Sequence, residues 1–402
     1  MKRIFLIMLI TMIGILLADG AFPLLSLEEV SRDYLSDYEI VKTVNLEGSG
    51  HNCAIAKESG DMVVMTETEE SYLLHYINTE GNIQWINKYE KPNNGFYIYV
   101  IYISDNGKTI TLIRNFDEDR ITYILNNKGS ILFSKFGDYL FLPSPNGQYI
   151  SQIPYYCDSN IQNGVILTNT GEEIAYELPE DIHAKCVCTK FLDNNSFFAI
   201  VSYGDYNVKN KRIIWYEINE LKQEIINQQD IEFAFLEMSF PYFVKSNREI
   251  LTIRSTNPPG LYIFDYKGNL LTVYEDNFSS YDITDNSNII IDHVLPSDLR
   301  ILDIDSNTQN IYDINLRPNH TANFITESIL KDNCIVMSLF RSPNDIRTER
   351  YAYQSMIYDL KKDITYTAAS YFMRVQDNSD DFIISIQQYS NPSVYILKGV
   401  EK

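Results

Sequence analysis

A short cluster of Asp, Asn, Ser and Gly, followed at once by an apolar run, returns eight times along this chain. It reads ESGDMVV around Gly60, SDNGKTI around Asn106, SPNGQYI around Asn146 and LDNNSFF around Asn194. It then recurs as KSNREIL around Asn247, TDNSNII around Asn286, KDNCIVM around Asn333 and QDNSDDFII around Asn378. Successive anchors lie 39 to 53 residues apart. That spacing is close to the roughly 40 to 50 residues of one four-stranded propeller blade. Asn, Asp and Gly tolerate positive φ, and Asx side chains bond the backbone two residues on, so each cluster suits a tight hairpin between strands.

A second turn series falls between the first: NTEGNIQW at Gly81, NNKGSILF at Gly129, TNTGEEI at Gly171, NELKQEI near Leu221, DYKGNLL at Gly268, DSNTQNI near Asn307 and LKKDITY near Lys362. Each unit therefore reads as strand A, turn, strand B, loop, strand C, turn, strand D. The 30 Tyr and 20 Phe sit beside Ile in short alternating runs such as FYIYVIYI from Phe96 and LYIFDY from Leu261, the pattern of pleated, half-buried strands. The expectation is an all-β chain forming a β-propeller of about eight four-stranded blades, with seven as the alternative, as a single domain over 38–402. The one helical candidate, SLEEVSRDYL, lies in a lead-in segment over 21–37. There Ser26 and Glu29 make a capping box, and Leu27, Val30 and Tyr34 share a face.

The ends suggest how the ring closes. SYFMRV from Ser370, DFIISIQQY from Asp381 and PSVYIL from Pro392 supply strands A, B and C of a last blade, with almost no chain left for strand D. YEIVKTVNL, from Tyr38 to Leu46, is an extra strand without a blade of its own. Pairing it with the last strand completes the eighth blade and removes an exposed sheet edge.

Residues 1–20 read as a secretory signal peptide. Lys2 and Arg3 precede an apolar run from Ile4 to Leu17, and Ala18-Asp19-Gly20 offers a small-residue cleavage site before Ala21. The run is short for a membrane span of roughly 20 residues, and no second spanning candidate follows. The chain is therefore expected to be exported, periplasmic or extracellular, with no integral span after processing. The formal net charge of -21 argues against nucleic acid and anionic membrane surfaces, which select positive patches.

SPNGQYI and SDNGKTI resemble the WD40-like repeats of TolB-type propellers, whose A-to-B turn often reads Ser-Pro-Asp-Gly. HYINTEGNIQW is similar to a pyrroloquinoline-quinone-type repeat, with Gly81 in the turn and Trp85 beyond it. The repeat number and exported location resemble an outer-membrane assembly scaffold of the BamB type, although the lipoprotein cysteine of that family is missing. A quinoprotein enzyme would be implied to carry a Trp floor and an adjacent Cys pair. This chain has only Trp85 and Trp215, and Val187 separates Cys186 from Cys188. The sialidase box Ser-x-Asp-x-Gly-x-Thr-Trp is absent.

Site candidates are dispersed. His51, His75, His183, His293 and His320 fall in different units without metal-ligand spacing and read as surface or loop histidines. Asp303, Asp305 and Asn307 resemble the start of a calcium loop. Thr308 and Ile314, however, stand where that loop needs Gly and Glu. The B-to-C and D-to-A loops of a propeller emerge on one face, where function gathers on a rigid scaffold. On that face Glu67, Glu69 and Glu70 of the first unit and Asp117, Glu118 and Asp119 of the second form an acidic candidate site for calcium or a basic partner. No other cofactor is expected. A long loop carrying Arg341, Arg347, Arg350 and Tyr351 is a candidate partner contact, because Arg and Tyr dominate interface hot spots. The five cysteines are expected as buried reduced thiols acting as small apolar residues, with a bridge from Cys157 to Cys186 or Cys188 across neighbouring blades as the alternative. The function expected is a noncatalytic module that binds or assembles a protein or glycan partner. A propeller hydrolase acting on glycans is the alternative.

Overall fold

The computed structural model describes residues 24–91, 98–116, 119–137, 139–154, 161–203, 210–219, 222–231, 244–246, 250–256, 259–276, 278–283, 289–293, 299–304, 308–312, 323–331, 334–341, 353–368, 370–375, 382–387 and 392–400. The segment read as a leader, 1–20, lies outside them. The fold is an all-β, eight-bladed β-propeller. Among the described residues seven sheets are four-stranded and one has a fifth strand. Blade 1 shows the pattern, with antiparallel strands Ser49–Ile55, Met62–Glu67, Ser71–Ile77 and Ile83–Glu90 as A to D. Seven blades run in sequence order. The eighth joins Tyr371–Arg374, Phe382–Gln387 and Ser393–Gly399 to the N-terminal strand Tyr38–Asn45, which takes the D position beside Ser393–Gly399. That edge is tied further by Leu46 N to Pro392 O at 2.9 Å and by Ser393 Oγ to Asn45 Oδ1 at 3.0 Å. The closure expected from the two chain ends is thus the one formed.

Two compact units can be distinguished. The first comprises residues 39–277, 285–287 and 373–402, and holds blades 1 to 5 and most of blade 8. Within it the A-to-B turns carry the repeated chemistry. In blade 2, Ser104 Oγ donates to Asn106 Oδ1 at 2.8 Å, and Asn106 Oδ1 accepts from Lys108 N at 3.1 Å. In blade 3, Ser144 and Asn146 reproduce both bonds at 2.9 and 3.0 Å. Side chains of one turn then reach the next: Asn106 Nδ2 donates to Asn146 O and Thr109 Oγ1 to Gly147 O, each at 2.7 Å. The turns are therefore blade-to-blade connectors as well as hairpins.

The C-to-D turns are sealed differently. Gly129 has φ +80, and a Cβ there would stand 2.9 Å from Trp85, on strand D of the preceding blade. Trp85 Nε1 donates to Asn127 O at 2.8 Å and Asn87 Nδ2 to Gly129 O at 2.8 Å, so ring and amide clamp one turn together. Phe133 covers Gly171 in the same way, and Trp215 covers Gly268, although Trp215 belongs to strand C. At Gly81, φ +74, the covering atoms are Lys42 Cγ, Val44 Cγ2 and Ile396 Cδ1, so the N-terminal closing strand does what strand D does elsewhere. Between blades lie alternating apolar faces. Val63, Met65, Leu74 and Tyr76 of blade 1 pack on Ile101, Ile110, Leu112 and Leu125 of blade 2.

The second unit comprises residues 1–38, 278–284 and 288–372 and holds blades 6 and 7. Ile290, Leu299 and Ile301 pack there on Ile335, Met337, Met356 and Tyr358. Leu24–Leu25 adds a fifth strand, parallel to Ile364–Ala368. The helix Leu27–Asp33 follows, opened by Ser26 with Glu29 as a capping box. Its Val30, together with Leu35 just beyond, is fully buried, and Tyr34 rests 5.3 Å from the Tyr366 ring.

His75 corrects the reading of the histidines as surface or loop residues. It lies on strand C of blade 1, 2% exposed, with Nε2 2.9 Å from Thr66 Oγ1. Burial lowers its pKa to about 4. Because the folded value is depressed below the ordinary 6.5, its contribution is fully present above pH 6.5 and is lost as pH falls towards 4. The loss is on the order of 3 kcal/mol over that window. His75→Gln is expected to flatten this part of the stability profile, measured by urea unfolding across the pH range. Trp85→Ala is expected to cost about 3 kcal/mol in the same assay at neutral pH. Deleting 38–46 is expected to cause aggregation or loss of cooperative unfolding, checked by light scattering and calorimetry.

Candidate functional site

The residues proposed from sequence for the B-to-C end divide by blade. Glu67 ends strand B of blade 1, and its carboxylate meets Lys91 Nζ at 2.8 Å, both side chains being largely buried. Lys91 lies 5.6 Å over the Tyr72 ring. Glu69 and Glu70 are exposed, and Glu70 Oε2 stands 3.9 Å from Lys88 Nζ. One of the three carboxylates is thus committed to a lysine, and a cation at this loop would have to compete with it. Asp119 opens strand Asp119–Asn126, while Asp117 and Glu118 lie outside the described residues. Among the described residues no cluster of three or more His, Cys, Asp or Glu is placed to hold a metal.

Blade 2 adds groups not foreseen from sequence. Arg114 on strand B has its guanidinium 5.7 Å over the ring of Tyr123 on strand C, and Tyr123 lies 6.3 Å from Tyr89 on strand D of blade 1. Arg114, Tyr123 and Tyr89 are half-buried. Burial raises the Tyr89 phenol to about 12, so it stays protonated at neutral pH. Strand alternation explains the grouping: Leu112 and Arg114 share the face of strand B that looks at blade 1, and register pairs Leu112 with Tyr123. Together with Lys91 and Tyr72, these residues form a cationic and aromatic cluster at the B-to-C end of the interface between blades 1 and 2.

A second cluster at the same end stiffens blade 4. Arg212, 12% exposed, donates to Asp230 through Nε at 2.6 Å and Nη2 at 3.1 Å, and through Nη1 to both oxygens of Asp181 at 3.0 Å. The Tyr203 hydroxyl donates to Asp230 Oδ1 at 2.9 Å. Asp181 belongs to the connection from blade 3, so one guanidinium fastens that connection to strands B, C and D of blade 4. The hydrogen bonds from Arg212 hold the Asp230 carboxyl below the usual carboxylate range.

Arg341 ends strand Cys334–Arg341, whereas Arg347, Arg350 and Tyr351 lie outside the described residues. Cys157 also lies outside them. Cys186 is disulfide-bonded, whereas Cys53, Cys188 and Cys334 are buried and reduced. Burial pushes the Cys334 thiol up to about 12, which leaves it unreactive at neutral pH. Among the described residues no helix is long and apolar enough to cross a membrane.

For Asp230 the folded pKa is depressed, so its stabilising contribution is present above the unfolded value and lost as pH falls through the folded one. Arg212→Met is expected to lower the melting temperature at neutral pH and to make the loss of stability below about pH 4 shallower than in the wild type. Differential scanning calorimetry over an acid pH series reads both effects.

No protein-family profile matches the sequence, and no curated protein sequence matches it. Solved structures do. The chain is similar to a prolyl endopeptidase analysed for inter-domain dynamics in catalysis and specificity, with a TM-score of 0.50 and 9% identity over 84% of this chain and 54% of that one. It is also similar to the Dos1 propeller, with a TM-score of 0.50 and 10% identity over 91% of this chain and 96% of that one. The chain therefore spans about half the length of the prolyl endopeptidase and nearly all of the Dos1 propeller. At such identities the likeness establishes the propeller fold.

Proposed function

We propose that this chain is an exported, noncatalytic propeller that binds a protein or glycan partner at the B-to-C end of blades 1 and 2. The observation that carries this reading is the cluster of Arg114, Tyr123 and Tyr89 beside Lys91 and Tyr72. Arg and Tyr combine a large contact area with directional bonding, and side chains already held against one another lose little freedom on binding. Tyr rings also offer the flat apolar faces on which sugar C–H groups stack. The exposed carboxylates of Glu69 and Glu70 flank the cluster and favour ligands that present a basic or hydroxyl-rich rim. The Glu67–Lys91 pair fixes the floor of the cluster rather than serving as its ligand set.

Export rests on the sequence of residues 1–20, and N-terminal sequencing of protein recovered from the native envelope or medium is expected to begin at Ala21. Binding is tested by glycan arrays and by capture from the envelope fraction. Wild-type protein should retain ligands that Arg114→Ala combined with Tyr123→Ala loses by at least about tenfold in affinity, with melting of the variant checked in parallel. Equal binding by the double variant would refute the assigned surface.

A further inference from the structure

Three buried polar atoms face the layer between blades 2 and 3 without a hydrogen-bond partner among the described residues: Thr111 Oγ1, Thr122 Oγ1 and Gln152 Nε2. The two threonines are 0% and 1% exposed. We infer that this layer is a hydration site, in which one buried water molecule bridges the threonine hydroxyls of blade 2 to the Gln152 amide of blade 3.

Register and packing put the three groups on facing walls. Thr111 lies on strand Thr109–Phe116 beside Ile124, and Ile124 packs in one group with Phe141, Ile150 and Leu167 of blade 3. Thr122 lies on strand Asp119–Asn126 beside Lys135, whose Nζ meets Glu173 Oε1 of blade 3 at 2.9 Å. Cross-strand partners share a sheet face, so both hydroxyls look towards blade 3. Because Thr111 pairs with Ile124 and Ile113 with Thr122, the threonines are diagonal neighbours on that face, a separation one water can bridge. On the opposite wall Gln152 of strand Tyr149–Pro154 pairs with Phe141, a member of the group that packs on blade 2. Its amide therefore enters the same layer.

The chemistry fits water. A buried polar group left unpaired lowers the folding equilibrium constant by about five- to 150-fold, and three such groups on one face call for a shared partner. A water donates its two protons to the threonine oxygens and accepts from Gln152 Nε2, which gives it three bonds, the usual number for a buried water. The rest of the wall is apolar, with Ile124 and Phe141 beside the polar groups, so an ion there would be costly to desolvate. The site lies on the reverse of the strands that carry Arg114 and Tyr123, and Thr122 directly precedes Tyr123. The bridge thus ties blade 2 to blade 3 behind the cationic and aromatic cluster, whether or not that cluster binds a partner.

Removing one hydroxyl without changing its shape separates a hydrated layer from a dry one by the sign of the effect. In a dry layer Thr111→Val or Thr122→Val deletes an unpaired group, and stability holds or rises. With the water in place, the same change strips the water of a partner. Each valine variant is expected to lower the folding equilibrium constant by about fivefold or more in urea unfolding. Adding Gln152→Met to both valines should recover most of that loss, because no polar group is then left stranded. Magnetic relaxation dispersion of the solvent should also count one fewer long-lived internal water in the triple variant than in the wild type. Unchanged or raised stability in both valine variants, losses that merely add in the triple variant, or an equal count of internal waters would each overturn the inference.

Discussion

The contact on which the rest of this structure depends is a bulky side chain of one blade lying flat on the turn of the next. Trp85 on Gly129, Phe133 on Gly171 and Trp215 on Gly268 leave no room for a Cβ, and each glycine adopts a positive φ that other residues adopt only at a cost. The two requirements coincide at one residue. Glycine is needed for the turn, and its missing side chain is what lets the neighbouring ring settle against the backbone. A twisted four-stranded sheet has two faces to bury and cannot do so alone, so the angle at which successive sheets meet must be held at the rim as well as in the core. Ring-on-glycine contacts at the C-to-D turns hold one end of that joint. The Asn106 and Thr109 bonds between A-to-B turns act on the same end, nearer the A strands.

The same contact explains why the eighth blade takes its outer strand from the other end of the chain. Gly81 needs a cover as Gly129 does, and Lys42 and Val44 of the N-terminal strand provide it with Ile396. The strand is therefore read twice: its backbone completes the sheet beside Ser393–Gly399, and its side chains dock blade 8 on blade 1. A strand that only paired would tolerate slippage in register. One that must also cover a glycine does not.

Blade number and closure were legible because turns obey local rules. Asx and Gly chemistry is written in four or five consecutive residues, and the side-chain bonds of Ser104 and Asn106 are repeated by Ser144 and Asn146 from that same short text. The cationic and aromatic cluster was not legible, because its members are far apart in sequence and meet only through register. Lys91, Arg114 and Tyr123 come from three segments, none with a motif. The acidic loop is visible in sequence, whereas the Lys91 contact that occupies its Glu67 is not. The burial of His75 is hidden from sequence for a related reason. A single histidine carries no signature of burial, whereas its neighbours Tyr72, Leu73, Leu74, Tyr76 and Ile77, buried on both sheet faces, do.

That difference bears on how a strongly acidic protein can offer a selective surface. At the B-to-C end the charges nearest the blade interfaces are spent in fixed arrangements: Glu67 on Lys91, and Arg212 shared between Asp181 and Asp230. The Glu67–Lys91 pair is largely buried on both sides. The Arg212 fork is held by several bonds at once although Asp181 and Asp230 stay exposed, so each arrangement constrains its side chains more than a single freely solvated pair would. What remains outward at blades 1 and 2 is half-buried rings and a guanidinium beside the exposed Glu69 and Glu70. Net charge sets the long-range field that excludes polyanions. On the proposed reading, the local rings and guanidinium decide what is retained after contact, with the Glu67–Lys91 pair beside them fixing their positions.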